Sequence, residues 1–303
     1  MRTIQEIIQA AEGYASGRIA VAAAHDADVL KAVVEAKRRK IAEPILVGHA
    51  DEIKAILKEI GEDPNEYEII GADTDVECAE RAVACVSEGK ANFLMKGLLN
   101  TPDIMRAVLK PEAGLRTGKL ISHVMMYEPK GHRMMGLTDG GMNTFPDLEK
   151  KTEILENAAK VFKALGYDEI NAACVCGAEV VNPKIQSTVD AKTLSEMTDR
   201  WAPYHMNVYG PVGLDLAVSE AACRHKHYEA KGAGQADILL VPSYETGNGI
   251  GKAMSIFGGA MNAGLVVGAK VPIVLVSRAD SAEVKLASVA LGAVVARGLE
   301  WNN

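Results

Sequence analysis

Ser277 and Arg278 put a hydroxyl beside a guanidinium, directly between an apolar run, Val271 to Val276, and a stretch of helical spacing. Such a pair suits anion chemistry: a planar positive fork matches two oxygens of a phosphate or carboxylate, and an O–H donor stands next to it. The β-branched run reads as a buried strand. Asp280 with Glu283 reads as a capping box opening a helix through Val284, Ala287, Leu291 and Val294 toward Gly298. A strand end facing a helix start is where α/β proteins gather anions, because free N–H groups and the helix dipole converge there. An arginine in such a loop also commonly pairs with a surface carboxylate, so these residues alone leave both readings open.

Other groups suited to the same chemistry lie upstream. Lys96-Gly97 closes an apolar run, and Asn100-Thr101-Pro102-Asp103 opens the helix that carries Arg106, with Pro102 at the first helical position behind a capping Thr101 or Asn100. His25-Asp26 ends another run, and Gly114 to Lys119 forms a loop with two glycines and the cations Arg116 and Lys119. The stretch Glu245 to Lys252 resembles a nucleotide loop, but its spacing refutes that. A P-loop needs Gly at 246 and Ser or Thr at 253, where Thr246 and Ala253 stand, and a dinucleotide fingerprint needs a third Gly at 252. It is expected to be a glycine-rich loop approaching a ligand. No Ser-His-Asp set, Cys-His nucleophile or paired glycosidase carboxylates stand at a recognisable spacing. His123 and His132 lack partners at ligand spacing, so no metal is assigned, and Met125, Met126, Met134 and Met135 read as core filler.

Strands are expected over 18–25, 44–48, 68–71 and 91–97, separated by helices over 28–41, 51–60 and 76–88. This alternation requires right-handed crossovers and a mostly parallel sheet, with ligands at the carboxyl ends of the strands. Segments 122–128 and 132–139 read as a hairpin that breaks the rhythm and marks a domain boundary. The alternation then resumes: helix 146–165, strand 171–179, helix 187–201 capped by Ser187 with Asp190 three residues on, strand 206–210, a helix from Asp215, and strand 236–242.

Composition narrows the function classes. Only 5% of the 303 residues are aromatic against 48% hydrophobic, so the core must be built from aliphatic side chains and methionine. A net charge of -7 argues against nucleic acid and anionic membranes as partners. The basic run Lys37 to Lys40 reads as a helix terminus complementing the dipole. The five cysteines form no C-x-x-C pair, which fits a reducing compartment. With neither a secretory leader nor an apolar stretch of about 18 residues, the expected location is cytoplasmic.

The segments LMKGLLNT (94–101), GLRTGKLISHV (114–124), LTDGGMNTFP (137–146), EVVNPKIQSTVDAKTLS (179–195), GPVGLDLAVSEAA (210–222), ETGN (245–248) and VPIVLVSRADS (271–281) resemble the phosphate acetyl/butyryltransferase family, and within it the phosphate butyryltransferase branch. The resemblance runs nearly end to end, in order and without large gaps. It implies two three-layer αβα domains flanking a cleft, in the isocitrate/isopropylmalate dehydrogenase-like fold. The expected domains are 1–130 plus 278–303, the last helix returning to the first domain, and 131–277. The implied reaction interconverts butyryl-CoA, or a similar short-chain acyl-CoA, plus phosphate with acyl phosphate plus CoA, by direct thiol attack in a ternary complex. Coenzyme A enters as substrate or product, no cofactor is bound permanently, and the family implies a homo-oligomer.

In related acetyltransferases the Ser-Arg pair lies in the active cleft, which corresponds to Ser277 and Arg278 here, and Arg106 matches another cleft arginine. The spacing of the proposed base falls on Val284, with Glu283 beside it and Asp280 nearby. The expected catalytic residues are therefore Ser277, Arg278, Asp280 and Glu283. Substrate contacts are expected at Lys96, Asn100, Thr101, Arg106, Arg116, Thr117, Gly118, Lys119, Asp139, Asn143, Thr246, Gly247 and Asn248. The alternatives are a phosphate acetyltransferase of the same family and, from other classes, a metal-dependent dehydrogenase of the wider fold or a non-catalytic acyl-CoA binder.

Overall fold

A computed structural model describes residues 1–12, 17–112 and 114–298. The chain opens with α1 (Ile4–Glu12), β1 (Gly17–Ala22), α2 (Ala27–Arg38), β2 (Ala42–Gly48), α3 (Ala50–Glu59), β3 (Glu68–Gly71), α4 (Asp75–Ser87), β4 (Phe93–Lys96) and α5 (Thr101–Val108). It continues with β5 (Ser122–Glu128), β6 (Met135–Thr138), α6 (Leu148–Ala164), β7 (Ile170–Val175), α7 (Gln186–Glu196), α8 (Thr198–Trp201), β8 (Met206–Val212), α9 (Leu214–Val218), α10 (Glu220–Lys226), β9 (Ile238–Leu240) and α11 (Tyr244–Ile256). Last come β10 (Met261–Val267), β11 (Ile273–Val274) and α12 (Ala282–Gly298).

These residues divide into two compact units. A terminal unit joins Ile4–Lys119 to Ala263–Asn303, and a central unit joins Met1–Thr3 to Leu120–Asn262. The divisions fall earlier in the chain than the expected 130/131 and 277/278, so the β5–β6 hairpin lies wholly within the central unit and β11 falls in the terminal one.

In the terminal unit the strand order is β3-β2-β1-β4-β11-β10, parallel throughout except for the antiparallel β11–β10 pair. From β1 the chain steps outward to β2 and β3, then returns to β4 on the other side of β1. A right-handed crossover can make that return only by putting its helix on the opposite face. α2 accordingly packs with α12, and α4 with α5. Both sides of these strands are covered, which is why β1 and β4 read as continuous apolar runs. Two capping side chains start helices as their types demand: Asp26 accepts from Val29 N at 2.9 Å, and Thr74 from Glu77 N at 3.2 Å.

The central sheet has the order β5-β6-β9-β7-β8, with only the β5–β6 hairpin antiparallel. Phe162, Tyr167 and Trp201, all outside the strands, are the largest fully buried side chains of the central unit. Among the described residues no helix is long and apolar enough to cross a membrane.

Three of the expected elements need correction here. The stretch 245–252 is not a loop but part of α11, which Ser243 caps by accepting from Thr246 N at 3.3 Å. Its glycines allow close packing, since a Cβ at Gly247 would lie 2.7 Å from Gly140 Cα. Ser187 is not a cap either: α7 starts at Gln186, and Asp190 accepts from the Lys151 ammonium at 2.6 Å in a buried ion pair. Finally, the regular part of the last strand shrinks to Ile273–Val274, although the neighbouring backbone keeps its place through Leu94 N to Pro272 O at 3.3 Å.

Candidate functional site

The strand order reverses between β1 and β4, and the carboxyl ends of strands at such a switch point are where open α/β sheets take ligands. β4 delivers Lys96 there as its last residue. β11 lies parallel beside it, with Val274 opposite Met95, so the segment after β11 presents Ser277 and Arg278 next to Lys96. The backbone packs tightly here. Gly97 N and Leu98 N donate to Ala22 O and Ala23 O at 2.8 and 2.9 Å, and a Cβ at position 97 would meet Ala23 O at 2.3 Å, so only glycine fits.

Arg278 and Asn100 meet directly, the guanidinium Nη2 donating to the amide Oδ1 at 2.6 Å. Asn100 occupies the N-cap position of α5 but makes no capping bond, because its side-chain oxygen faces Arg278. Thr101 is thus the first helical residue and Pro102 the second, one place later than expected. Arg106, near the end of the same helix, forms an ion pair with Asp103 at 2.9 Å and is well exposed.

Asp280 does not cap α12. Its carboxylate accepts from Ser277 N at 2.8 Å and closes the 277–280 turn, while Ser281 Oγ accepts from Val284 N at 3.4 Å in the capping role. The physical reason is reach: Asp280 precedes the capping position and its short side chain turns back into the loop. Glu283 lies exposed in the first helical turn, where a carboxylate favours the helix dipole.

Lys96 is 4% exposed and donates to Gly97 O and Leu99 O, each at 3.2 Å. Burial first, then the like charges of Arg278 and Lys285, lower its pKa to about 8, while Asp280 and Asp26 act weakly in the opposite sense. Lys285 escaped the sequence reading. It is 2% exposed and donates to the carbonyls of Arg278 and Asp280. The signal was a lysine interrupting an apolar helical run at a position facing the core. The structure therefore groups Lys96, Asn100, Thr101, Ser277, Arg278, Asp280 and Lys285.

The loop 116–119 is a separate feature of the terminal unit. Arg116, Gly118 and Lys119 are exposed, and the Thr117 hydroxyl braces the loop by donating to Gly268 O at 2.6 Å.

The remaining candidates form their own cluster in the central unit. Asp139 is buried and accepts from His123 N at 3.0 Å, Gly141 N and Met142 N at 2.8 Å, and Asn143 Nδ2 at 2.7 Å. Asn143 Nδ2 also reaches Ile121 O at 3.0 Å, so this carboxylate and amide shape the 139–143 turn. That turn packs through Gly140 against Gly247 and Asn248 at the start of α11, where Thr246 Oγ1 lies 3.1 Å from the capping Ser243 hydroxyl. Among the described residues no group of three or more His, Cys, Asp or Glu converges to hold a metal ion.

Comparison with known proteins adds a family. The phosphate butyryltransferase of Clostridium acetobutylicum is 45% identical over 297 residues, covering 98% of this chain and 99% of that protein. The phosphate acetyltransferase of Thermotoga maritima is 39% identical over 294 residues, covering 97% and 99%. Among solved structures, a branched-chain phosphotransacylase from Enterococcus faecalis V583 superposes with a TM-score of 0.82 at 32% identity, covering 92% of this chain and 99% of that one. The family described as phosphate acetyl/butaryl transferase matches residues 2–81 and 76–293. With matches of that extent, the chain belongs to the phosphate acetyl/butaryl transferase family.

Proposed function

We propose that this protein transfers a short acyl group, butyryl or similar, between coenzyme A and inorganic phosphate. In one direction a phosphate oxygen attacks the thioester carbonyl, a C–O bond forms, the C–S bond breaks and the thiol leaves with a proton. In the other direction the thiol attacks the acyl carbon and phosphate leaves.

The observation that carries this reading is the concentration of positive charge at the carboxyl ends of β4 and β11. Arg278 is held by a neutral amide, beside Lys96 and Lys285, and none of the three has a carboxylate within 4.0 Å among the described residues. In the proposal Arg278 holds the phosphate, Arg106 assists after leaving Asp103, and Ser277 donates to the oxyanion that forms on the acyl carbonyl. Asp280 shapes the loop through Ser277 N.

Magnitudes show where catalysis comes from. A thiol of cysteine-like pKa, ~8.5, loses only ~2 kcal/mol at neutral pH by being protonated. Fixing both substrates in a reactive geometry supplies up to ~7–11 kcal/mol, so positioning outweighs any base. Direct displacement in a ternary complex uses that advantage in one step. An acetyl-specific enzyme is the second reading, favoured by the likeness to the Thermotoga maritima acetyltransferase.

The test is phosphate-dependent release of free CoA from acetyl-, butyryl- and longer acyl-CoA, with Arg278→Ala alongside. Butyryl-CoA is expected to give the highest kcat/KM, and the variant to lose at least ~100-fold. Full activity in Arg278→Ala would overturn the site. Release of CoA in a burst without phosphate would replace direct displacement by an acyl-enzyme.

A further inference from the structure

Lys285 stands where three separate effects disfavour a lysine. Its ammonium is buried, and burying a charge is costly unless it is compensated. It belongs to the first turns of α12, where the helix dipole is positive and repels a cation. Lys96 and Arg278 are its near neighbours, both of the same sign. Its hydrogen-bond partners are two backbone carbonyls, Arg278 O at 3.4 Å and Asp280 O at closer range. For helix packing alone an aliphatic residue would serve better at this position.

Those two carbonyls belong to the loop that carries the anion-binding pair. Fixing the carbonyl of residue 278 fixes the peptide plane beyond it, and with it the direction in which the Arg278 side chain leaves the backbone. Lys96 does the corresponding work opposite, holding the carbonyls of Gly97 and Leu99 just ahead of Asn100. Each partner of the Arg278–Asn100 hydrogen bond is thus backed by a buried ammonium. The charged groups facing this pair are Arg278 and Asp280 from the loop and Asp26 from the start of α2.

We propose that Lys285 is a positioning residue whose ammonium clips the carbonyls of Arg278 and Asp280, holding the Arg278 guanidinium in the orientation that receives phosphate. The inference rests on the phosphate-transfer reading above. An arriving dianion also offsets the repulsion among Lys285, Lys96 and Arg278, so the positive cluster is relieved on binding.

The experiment compares Lys285→Met, Lys285→Gln, Lys285→Arg and Arg278→Ala in the CoA-release assay, with KM for phosphate and for acyl-CoA measured separately and thermal midpoints recorded. Removing a buried like charge should leave the Met and Gln variants at least as heat-stable as the parent. Both are expected to raise the phosphate KM about tenfold or more while the acyl-CoA KM stays within about twofold, and Lys285→Arg to recover most of the loss. The alkaline limb of the phosphate KM profile, set by Lys96, should move to higher pH in Lys285→Met because a neighbouring positive charge is gone.

An unchanged phosphate KM in both neutral variants overturns the proposal, as does an equal rise in the two KM values together with a lowered thermal midpoint. If Arg278→Ala loses phosphate-dependent activity while both neutral variants keep the parent's constants, this inference alone fails. If Arg278→Ala is fully active, the phosphate reading fails and takes the inference with it.

Discussion

Lys96 couples charge to pH and, in the proposed site, both to the ligand. Its folded pKa, about 8, lies below the ordinary lysine value of 10.5, so between those limits the unfolded chain binds more protons than the folded one. Stability on this residue's account therefore rises as pH increases through that window, and the destabilising charge is fully present below it. Anion binding runs the other way, since a bound dianion favours the ammonium form. Sulfate, which does not titrate here, should be accompanied by proton uptake at about pH 8.5 and by almost none at about pH 6.5, where Lys96 is already charged. Calorimetry in two buffers of different ionisation heat measures this, and equal uptake at both values would remove Lys96 from the site. Most of the cluster was readable in the residues: Ser277, Arg278, Lys96 and Asn100 each stand after a strand or before a helix. Lys285 was overlooked, because a lysine within a helix is ordinarily solvated and its place in an apolar run was the one sign that it faces inward. Asp280 and Glu283 misled for a related reason, since capping spacing does not reveal that Ser281 takes the cap.

The strand and helix pattern of the terminal unit followed from alternation, because doubly covered parallel strands must be apolar and their crossovers amphipathic. α11 was the main departure. Three glycines within 245–252 lower helix propensity, yet Gly247 sits against Gly140, and a Cβ at Gly251 would lie 2.2 Å from Tyr127 Oη. Tertiary packing selected small residues there and local propensity lost. A substitution pair separates the two effects. Gly247→Ala should destabilise by ~1–3 kcal/mol through overpacking. Gly249→Ala, with open space around its Cβ, should stabilise by ~0.5–1 kcal/mol through helix propensity. Denaturant midpoints measure both, and equal signs would refute the packing account. The buried Lys151–Asp190 pair was hidden for the same reason, its partners coming from helices far apart in sequence.

Taken as a whole, the chain keeps its reactive sulfur inside. All five cysteines are free and buried, and burial raises each thiol's pKa. A thiol reagent applied to the native protein at neutral pH should label none of them rapidly, whereas denaturation should release all five. Fast labelling of one thiol in the native state would show an opening that the fold does not display. The division into two units was legible only through the family resemblance and the hairpin signal. Its limits were not, because hydrophobic pattern identifies elements but not which unit claims β11 or the segment before the hairpin.

The bond between Arg278 and Asn100 has a bearing on turnover. An amide oxygen is a neutral guest at the guanidinium, and giving it up forfeits ~1.5–3 kcal/mol, whereas a carboxylate there would rival the substrate itself. Arg106 is in that second position, occupied by Asp103. In the proposed reaction the two arginines would thus differ in readiness: Arg278 would take phosphate by exchanging a neutral partner, and Arg106 only in competition with a resident carboxylate. On the same proposal Asn100 would return to the guanidinium when the anion leaves, so that release of a dianion would not leave a bare cation behind.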